Sequence, residues 1–101
     1  MTAIHPRITE RTLQDAIVEC ARALGWTHVY HTWLAAHSTP GFPDLVLLRP
    51  PRLLVIECKT ERGKVSEAQH DWLAAFTACG VEATIARPAD WYDGTIEALL
   101  R

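Results

Sequence analysis

The stretch GFPDLVLLRPPRLLVIECK, residues 41–59, decides how this chain is read. It holds two short apolar runs, Asp44-Leu-Val-Leu-Leu-Arg49 and Leu53-Leu-Val-Ile-Glu-Cys-Lys-Thr60, separated by Pro50-Pro51-Arg52, and this pattern predicts a hairpin. Their continuous apolar character predicts strands covered on both faces over part of their length. Folded symmetrically about the Pro50–Pro51 bond, the hairpin sets Arg49 opposite Arg52 and Asp44 opposite Glu57. Directly opposed residues of an antiparallel pair lie about 4.5–5.5 Å apart on one face of the sheet. Glu57 and Lys59, two apart on one strand, share that face. Pro-Pro is not a favoured two-residue turn, and a slip of one residue would move Asp44 to the other face.

In the symmetric register, two carboxylates and an ammonium converge at the open end of the hairpin. Two acids that close repel each other unless a positive charge sits between them, and a hard divalent cation such as Mg²⁺ or Mn²⁺ meets that need. Lys59 would stand beside the attacking water and a substrate phosphate, orienting the one and offsetting charge on the other. These are the parts that phosphodiester hydrolysis requires. A plainer reading exists for each piece alone: an Asp after Pro is a common turn former, and Glu-x-Lys on an exposed face is a common solvated pair. Their mirror placement across one hairpin favours the site.

Outward from the hairpin, Thr9 is a good N-cap, with Glu10 in the first turn. Leu13, Ile17, Cys20, Ala21 and Leu24 then form one helical stripe that ends at Gly25. Residues 26–33 are aromatic and β-branched and predict a strand; residues 34–43 predict a loop. After the polar connection 61–64, Ser66 opens a second helix, with Gln69 as capping-box partner and Gln69, Trp72, Leu73 and Phe76 on one face. Gly80 closes it. Residues 81–87 predict a strand ended by Pro88, and 95–100 a short terminal helix. The order αβββαβα describes one α/β domain with a mixed sheet flanked by helices.

Composition excludes other classes. The chain has 101 residues, 49% hydrophobic and 22% charged, with Lys+Arg 10 against Asp+Glu 12, which fits a globular domain and not a disordered or fibrous chain. No apolar run is long enough for a membrane span, and the first eleven residues do not resemble a signal peptide, so a cytoplasmic location in a bacterial or phage-infected cell is expected. Cys20, Cys58 and Cys79 are far apart and form no C-x-x-C pair; they are expected to be small buried residues. The net charge of −2 argues against a general polyanion surface without excluding nucleic acid.

Pro43-Asp44 with Glu57-Cys58-Lys59 matches the PD-(D/E)XK nuclease signature. The surrounding pattern is more specific: Thr9-Glu10, Leu13-Gln14, Gly25-Trp26, His31, Gly41-Phe-Pro-Asp-Leu45, Glu57-x-Lys59-Thr-Glu61, Gly63-Lys64, Gln69-x-x-Trp72-Leu73, Gly80-Val81 and Arg87-Pro88. From about Thr9 to Pro88 the chain resembles the VRR-NUC family, above all its stand-alone members from phages and bacteria. The resemblance implies a restriction-endonuclease-like αβββαβ core and metal-dependent cleavage of DNA, often branched, flap or Holliday-junction DNA, by a homodimer. It implies that Asp44 and Glu57 bind Mg²⁺ or Mn²⁺ with the Cys58 carbonyl, that Lys59 is the catalytic lysine, that Glu10 is the family's additional acid and a further metal ligand, and that Gln69 is the family's glutamine, both counted with the catalytic residues. Cys58 departs from the more usual leucine, but only its main chain is needed.

Other residues carry two readings. Glu10 and Gln14 lie one turn apart and can face one site, yet Glu10 also suits a helix N-terminus. Glu19 lies on another face of that helix. Gln69 serves either the cap or a phosphate. His31 and His37 flank the loop before Pro43, and His31 is the better candidate for a DNA contact. Lys64, Arg62 and Arg49 are read as surface charges, with Lys64 close enough to touch DNA backbone. Trp72 and Phe76 are read as core; Trp33 and Trp91 as exposed stacking or dimer contacts. The alternative to a nuclease is a module on the same fold that binds branched or single-stranded DNA without cutting it.

Overall fold

Thr9 caps the first helix as its sequence position predicts: its Oγ1 accepts the Thr12 N–H at 3.0 Å. The computed structural model describes residues 7–33 and 39–101; His37 and the first six residues lie outside that set. The elements in chain order are α1 (Glu10–Ala23), β1 (His28–His31), β2 (Leu45–Arg49), β3 (Arg52–Cys58), α2 (Glu67–Ala78), β4 (Glu82–Ala86), α3 (Pro88–Tyr92) and α4 (Thr95–Leu100). The sheet runs β1-β2-β3-β4, antiparallel twice and then parallel. A parallel neighbour needs a crossover, which α2 provides.

The hairpin folds in the symmetric register. Leu45 pairs with Ile56, Leu47 with Leu54 and Arg49 with Arg52, around a cis Pro50–Pro51 bond. Leu13, Ile17 and Ala21 of α1 pack on Leu45, Leu47, Leu54, Ile56 and Cys58, and Ile96 and Leu100 of α4 close the same cluster. Strand alternation therefore turns Asp44, Val46, Val55 and Glu57 to the opposite face. Val55 is fully buried yet stands outside the α1 cluster, so that second face is covered too. The helix available to cover it is α2, which packs on β4. Leu54 to Cys58 are buried without a break, as a strand covered on both faces requires.

Four expectations are corrected. The first strand is shorter than residues 26–33 because Trp26 turns into the core, where its indole Nε1 donates to the Leu100 carbonyl at 2.9 Å. Pro88 does more than end β4: it opens α3, with Asp90 Oδ2 accepting the Arg87 N–H at 2.9 Å. Of the cysteines only Cys58 is buried; Cys79 is exposed, because it caps the C-terminus of α2 beside Gly80. Arg49 is no free surface charge: its guanidinium donates to the carbonyls of Leu24, Leu100 and Arg101 and lies over Trp26.

The aromatic expectations divide. Trp72 and Phe76 are half-buried in a satellite cluster with Phe42, and Trp91 packs against the core rather than outside it. Trp33 is exposed, at 56%. Among the described residues no helix is long and apolar enough to cross a membrane.

Candidate active site

The site grows from the end of the hairpin opposite its turn. Thr32 N–H donates to the Asp44 carbonyl at 2.7 Å, carrying the β1–β2 ladder one step beyond His31. Asp44 stands immediately before β2, and its Oδ2 accepts the Cys58 N–H at 2.8 Å. That bond fixes the carboxylate across the mouth of the hairpin. Continuing the register by one pair sets Asp44 opposite Glu57, on the face away from α1.

Glu57 is 2% exposed, and its Oε2 is buried without a hydrogen-bond partner. Burial pushes its carboxyl up to about 9; the hydrogen bond that the protonated carboxyl donates to Asp44 and the charge of Asp44 add to the effect, while Lys59 opposes it and Glu10 adds to it. Without a cation, the Glu57 carboxyl is therefore held in its protonated form at neutral pH. The Cys58 thiol is pushed up as well, first by burial and then by the charges of Asp44, Glu57 and Glu10. The fields of three acids thus meet at this end of β3.

The Cys58 N–H points at Asp44, and in an extended strand a residue's carbonyl points to the same side as its N–H. The Cys58 carbonyl is accordingly directed toward the β2 side of the site. Lys59 N–H bonds the Ala86 carbonyl at 3.0 Å and extends the β3–β4 ladder, with the side chain on the Glu57 face. Asp44, Glu57 and the Cys58 carbonyl form an all-oxygen donor set, and an orphaned buried carboxylate oxygen is what a cation would satisfy; these residues fit a hard divalent ion. Among the described residues no three His, Cys, Asp or Glu side chains close into a ligand group. Glu10 is exposed in the first turn of α1 and acts on the site through its field.

The remaining predicted residues are placed as follows. Gln14, one turn from Glu10, is 7% exposed and has no hydrogen bond with the described residues. Gln69 Oε1 accepts the Ser66 N–H at 2.9 Å and Ser66 Oγ accepts the Gln69 N–H, so the capping box is formed and only the amide nitrogen is left over. His31 pairs with Leu45 and so lies on the α1 face, its ring 4.1 Å from Trp33, which in turn carries Arg11 at 4.3 Å. Lys64 and Arg62 are exposed in the connection after Lys59.

The sequence reading gave Gly41, Phe42, Thr32 and Arg87 no role of their own in the site. Gly41 has φ +87°, and a Cβ there would run into the Ala68 backbone, so only glycine lets this loop press on the first turn of α2. Trp72 Nε1 donates to the Pro40 carbonyl at 3.2 Å, and Phe42 meets Trp72 and Phe76 edge-on, which locks the segment leading to Asp44 onto α2. Glycine beside Phe-Pro-Asp was the available signal. Thr32, on the Asp44–Glu57 row, carries the other buried side-chain oxygen without a partner among the described residues. Arg87 gathers the loop after Lys59, a role that its place in the Arg87-Pro88 pair does not reveal.

The model of the VRR-NUC domain family matches residues 5–90. A solved structure titled "VRR_NUC domain protein" superposes with a TM-score of 0.71 over 93% of this chain and 87% of its own, at 19% identity, which shows a common fold. No curated protein matches. A mixed four-stranded sheet with an acid pair and a lysine at the mouth of its central hairpin, matched to the family over residues 5–90, establishes that this chain belongs to the VRR-NUC family, with the nuclease-type fold that membership brings.

Proposed function

We propose that this chain is a Mg²⁺- or Mn²⁺-dependent endonuclease that hydrolyses phosphodiester bonds in DNA, with branched, flap or Holliday-junction DNA as the preferred substrate. The observation that carries the reading is the pairing of Asp44 with Glu57 across β2 and β3, with an unpartnered buried oxygen on Glu57 and Lys59 on the same face. A divalent ion bound there would act as a Lewis acid on the scissile phosphate and make a hydroxide nucleophile available at neutral pH.

Asp44, Glu57 and the Cys58 carbonyl would hold the ion, with Glu57 in its ionised form. The Asp44 carboxylate is kept in place by the Cys58 N–H. Lys59 orients the attacking water and offsets charge that builds on the phosphate as the new P–O bond forms and the ester bond breaks. Glu10 strengthens the site's attraction for cations from its position on α1. The Gln69 amide nitrogen, not used by the cap, is free to donate to a phosphate oxygen, while Lys64 and the Arg11–Trp33–His31 stack supply contacts along the DNA.

A homodimer is part of the proposal, since two sites related by a dyad suit paired cuts at a junction. The test is a panel of forked, flapped, four-way, single-stranded and linear duplex DNAs with Mg²⁺ or Mn²⁺, binding and cleavage being measured separately. Cleavage that favours the branched members and falls about 10²- to 10⁴-fold in Lys59→Ala is expected. Binding without cleavage under any metal would make the protein a DNA-binding module instead.

A further inference from the structure

We infer that Arg87 is a positioning residue for Lys59, holding the connection that walls in the lysine's side chain; the inference rests on the reading of Lys59 as the catalytic lysine. Arg87 Nη1 donates to three carbonyls of the connection that follows Lys59: Thr60 at 2.7 Å, Glu61 at 3.2 Å and Gly63 at 2.9 Å. One guanidinium nitrogen has two hydrogens, so three acceptors must share them, and the chain between 60 and 63 is drawn into a cup around the cation. A second tie runs the opposite way, the Ala89 N–H donating to Glu61 Oε2 at 3.0 Å.

Arg87 is itself anchored. Its N–H bonds Asp90 Oδ2, the following Pro88 is buried, and the preceding Ala86 accepts the Lys59 N–H. The result on the active side is that Gly63 folds back beside Lys59: a Cβ on Gly63 would stand 3.6 Å from Lys59 Cδ and 2.8 Å from Thr60 Oγ1. The lysine's alkyl stem therefore runs between the β3–β4 ladder and a loop that owes its shape to one guanidinium. Arg87 spends its Nη1 hydrogen bonds on carbonyls, which is the arrangement of an internal clamp and not of a phosphate ligand. Without it, the Glu61 and Gly63 carbonyls lose a donor, the Thr60 carbonyl keeps only the Gly63 N–H at 3.2 Å, and the wall beside Lys59 is loosened. A displacement of the ammonium by about 1 Å is enough to slow a reaction on the order of 10²-fold.

The experiment compares wild type, Arg87→Ala, Arg87→Lys, Lys59→Ala and the Arg87→Ala/Lys59→Ala double variant. The readouts are single-turnover cleavage in Mn²⁺, DNA affinity in Ca²⁺, and the NMR signals of the Lys59 ε-methylene together with amide exchange at 60–63. Arg87→Ala is expected to slow cleavage about 10- to 100-fold, with DNA affinity changed less than about threefold and the Lys59 signal shifted and narrowed. Arg87→Lys, whose ammonium also offers several hydrogens, recovers part of the rate. In the Lys59→Ala background, Arg87→Ala makes no further difference, because it acts through the lysine. Wild-type rates in Arg87→Ala, an effect that multiplies with that of Lys59→Ala, or a loss confined to DNA affinity would each overturn the inference. Should Arg87→Ala not fold, Arg87→Lys carries the same readouts. Should the wild type cleave no DNA, the functional reading falls separately, and an unmoved Lys59 signal would still refute the clamp while a moved one would support it.

Discussion

Replacing Glu57 with glutamine keeps the size of the side chain and removes its proton equilibrium. In wild type without metal the folded carboxyl sits at about 9, against 4.5 for the free group. The folded state thus binds a proton more tightly than the unfolded state, and stability falls as pH rises between those two values. Below about 4.5 the group is neutral in both states and contributes no dependence. Within the window each pH unit removes about 1.4 kcal/mol, so wild type should lose on the order of 5 kcal/mol relative to Glu57→Gln between pH 5 and pH 9. With the carboxyl only 2% exposed, solvent screening does little to reduce this.

The assay is urea unfolding of both proteins in EDTA at unit intervals of pH. The stability difference should open steadily in favour of the variant with rising pH. For a domain of this size each kcal/mol corresponds to about 4–8 °C in Tm. Excess Mg²⁺ should restore wild type and not the variant, because the ion takes the place of the proton, and binding near pH 7 should release about one proton per ion. Parallel pH curves for the two proteins would refute the reasoning, since they would mean that Glu57 is ionised in the folded protein without a cation.

Gly41→Ala should destabilise the fold by about 2–4 kcal/mol in urea, from left-handed backbone strain and from contact with the Ala68 backbone, and should weaken Mn²⁺ binding because Asp44 moves with the loop; a variant within about 0.5 kcal/mol of wild type would show that the loop does not press on α2. Arg49→Ala should cost about 1–3 kcal/mol through the lost bonds to Leu24, Leu100 and Arg101, while metal affinity, measured by calorimetry on the folded protein, stays unchanged because Arg49 lies at the turn end of the hairpin. Arg52→Ala should lower stability by less than about 1 kcal/mol in the same assay, since its pair with Glu82 is partly exposed.

The hairpin and its acid pair were legible because their information is local: apolar runs of matched length, a two-residue break, and a side-chain period of two that carries Asp44 onto the Glu57 face. Both main caps were legible for the same reason, as Thr9 and Ser66 bond to residues three positions away. What was missed depends on contacts distant in sequence. The face on which His31 lies is one such case, since it is set by the register of β1 on β2. Arg49 read as a surface charge, and the part Arg87 plays went unread, because their acceptors are backbone carbonyls, which leave no mark in a sequence. The α3 helix was within reach, since Arg87-Pro-Ala-Asp places proline at the first helical position and an acid two residues on, but five residues show no periodicity.

The most direct measurement is anomalous diffraction from crystals of the protein soaked in Mn²⁺. The account predicts one strong peak between the carboxylates of Asp44 and Glu57, within bonding range of the Cys58 carbonyl, that disappears in Glu57→Gln. Strong manganese peaks confined to other parts of the surface, with none between those two carboxyls, would contradict it.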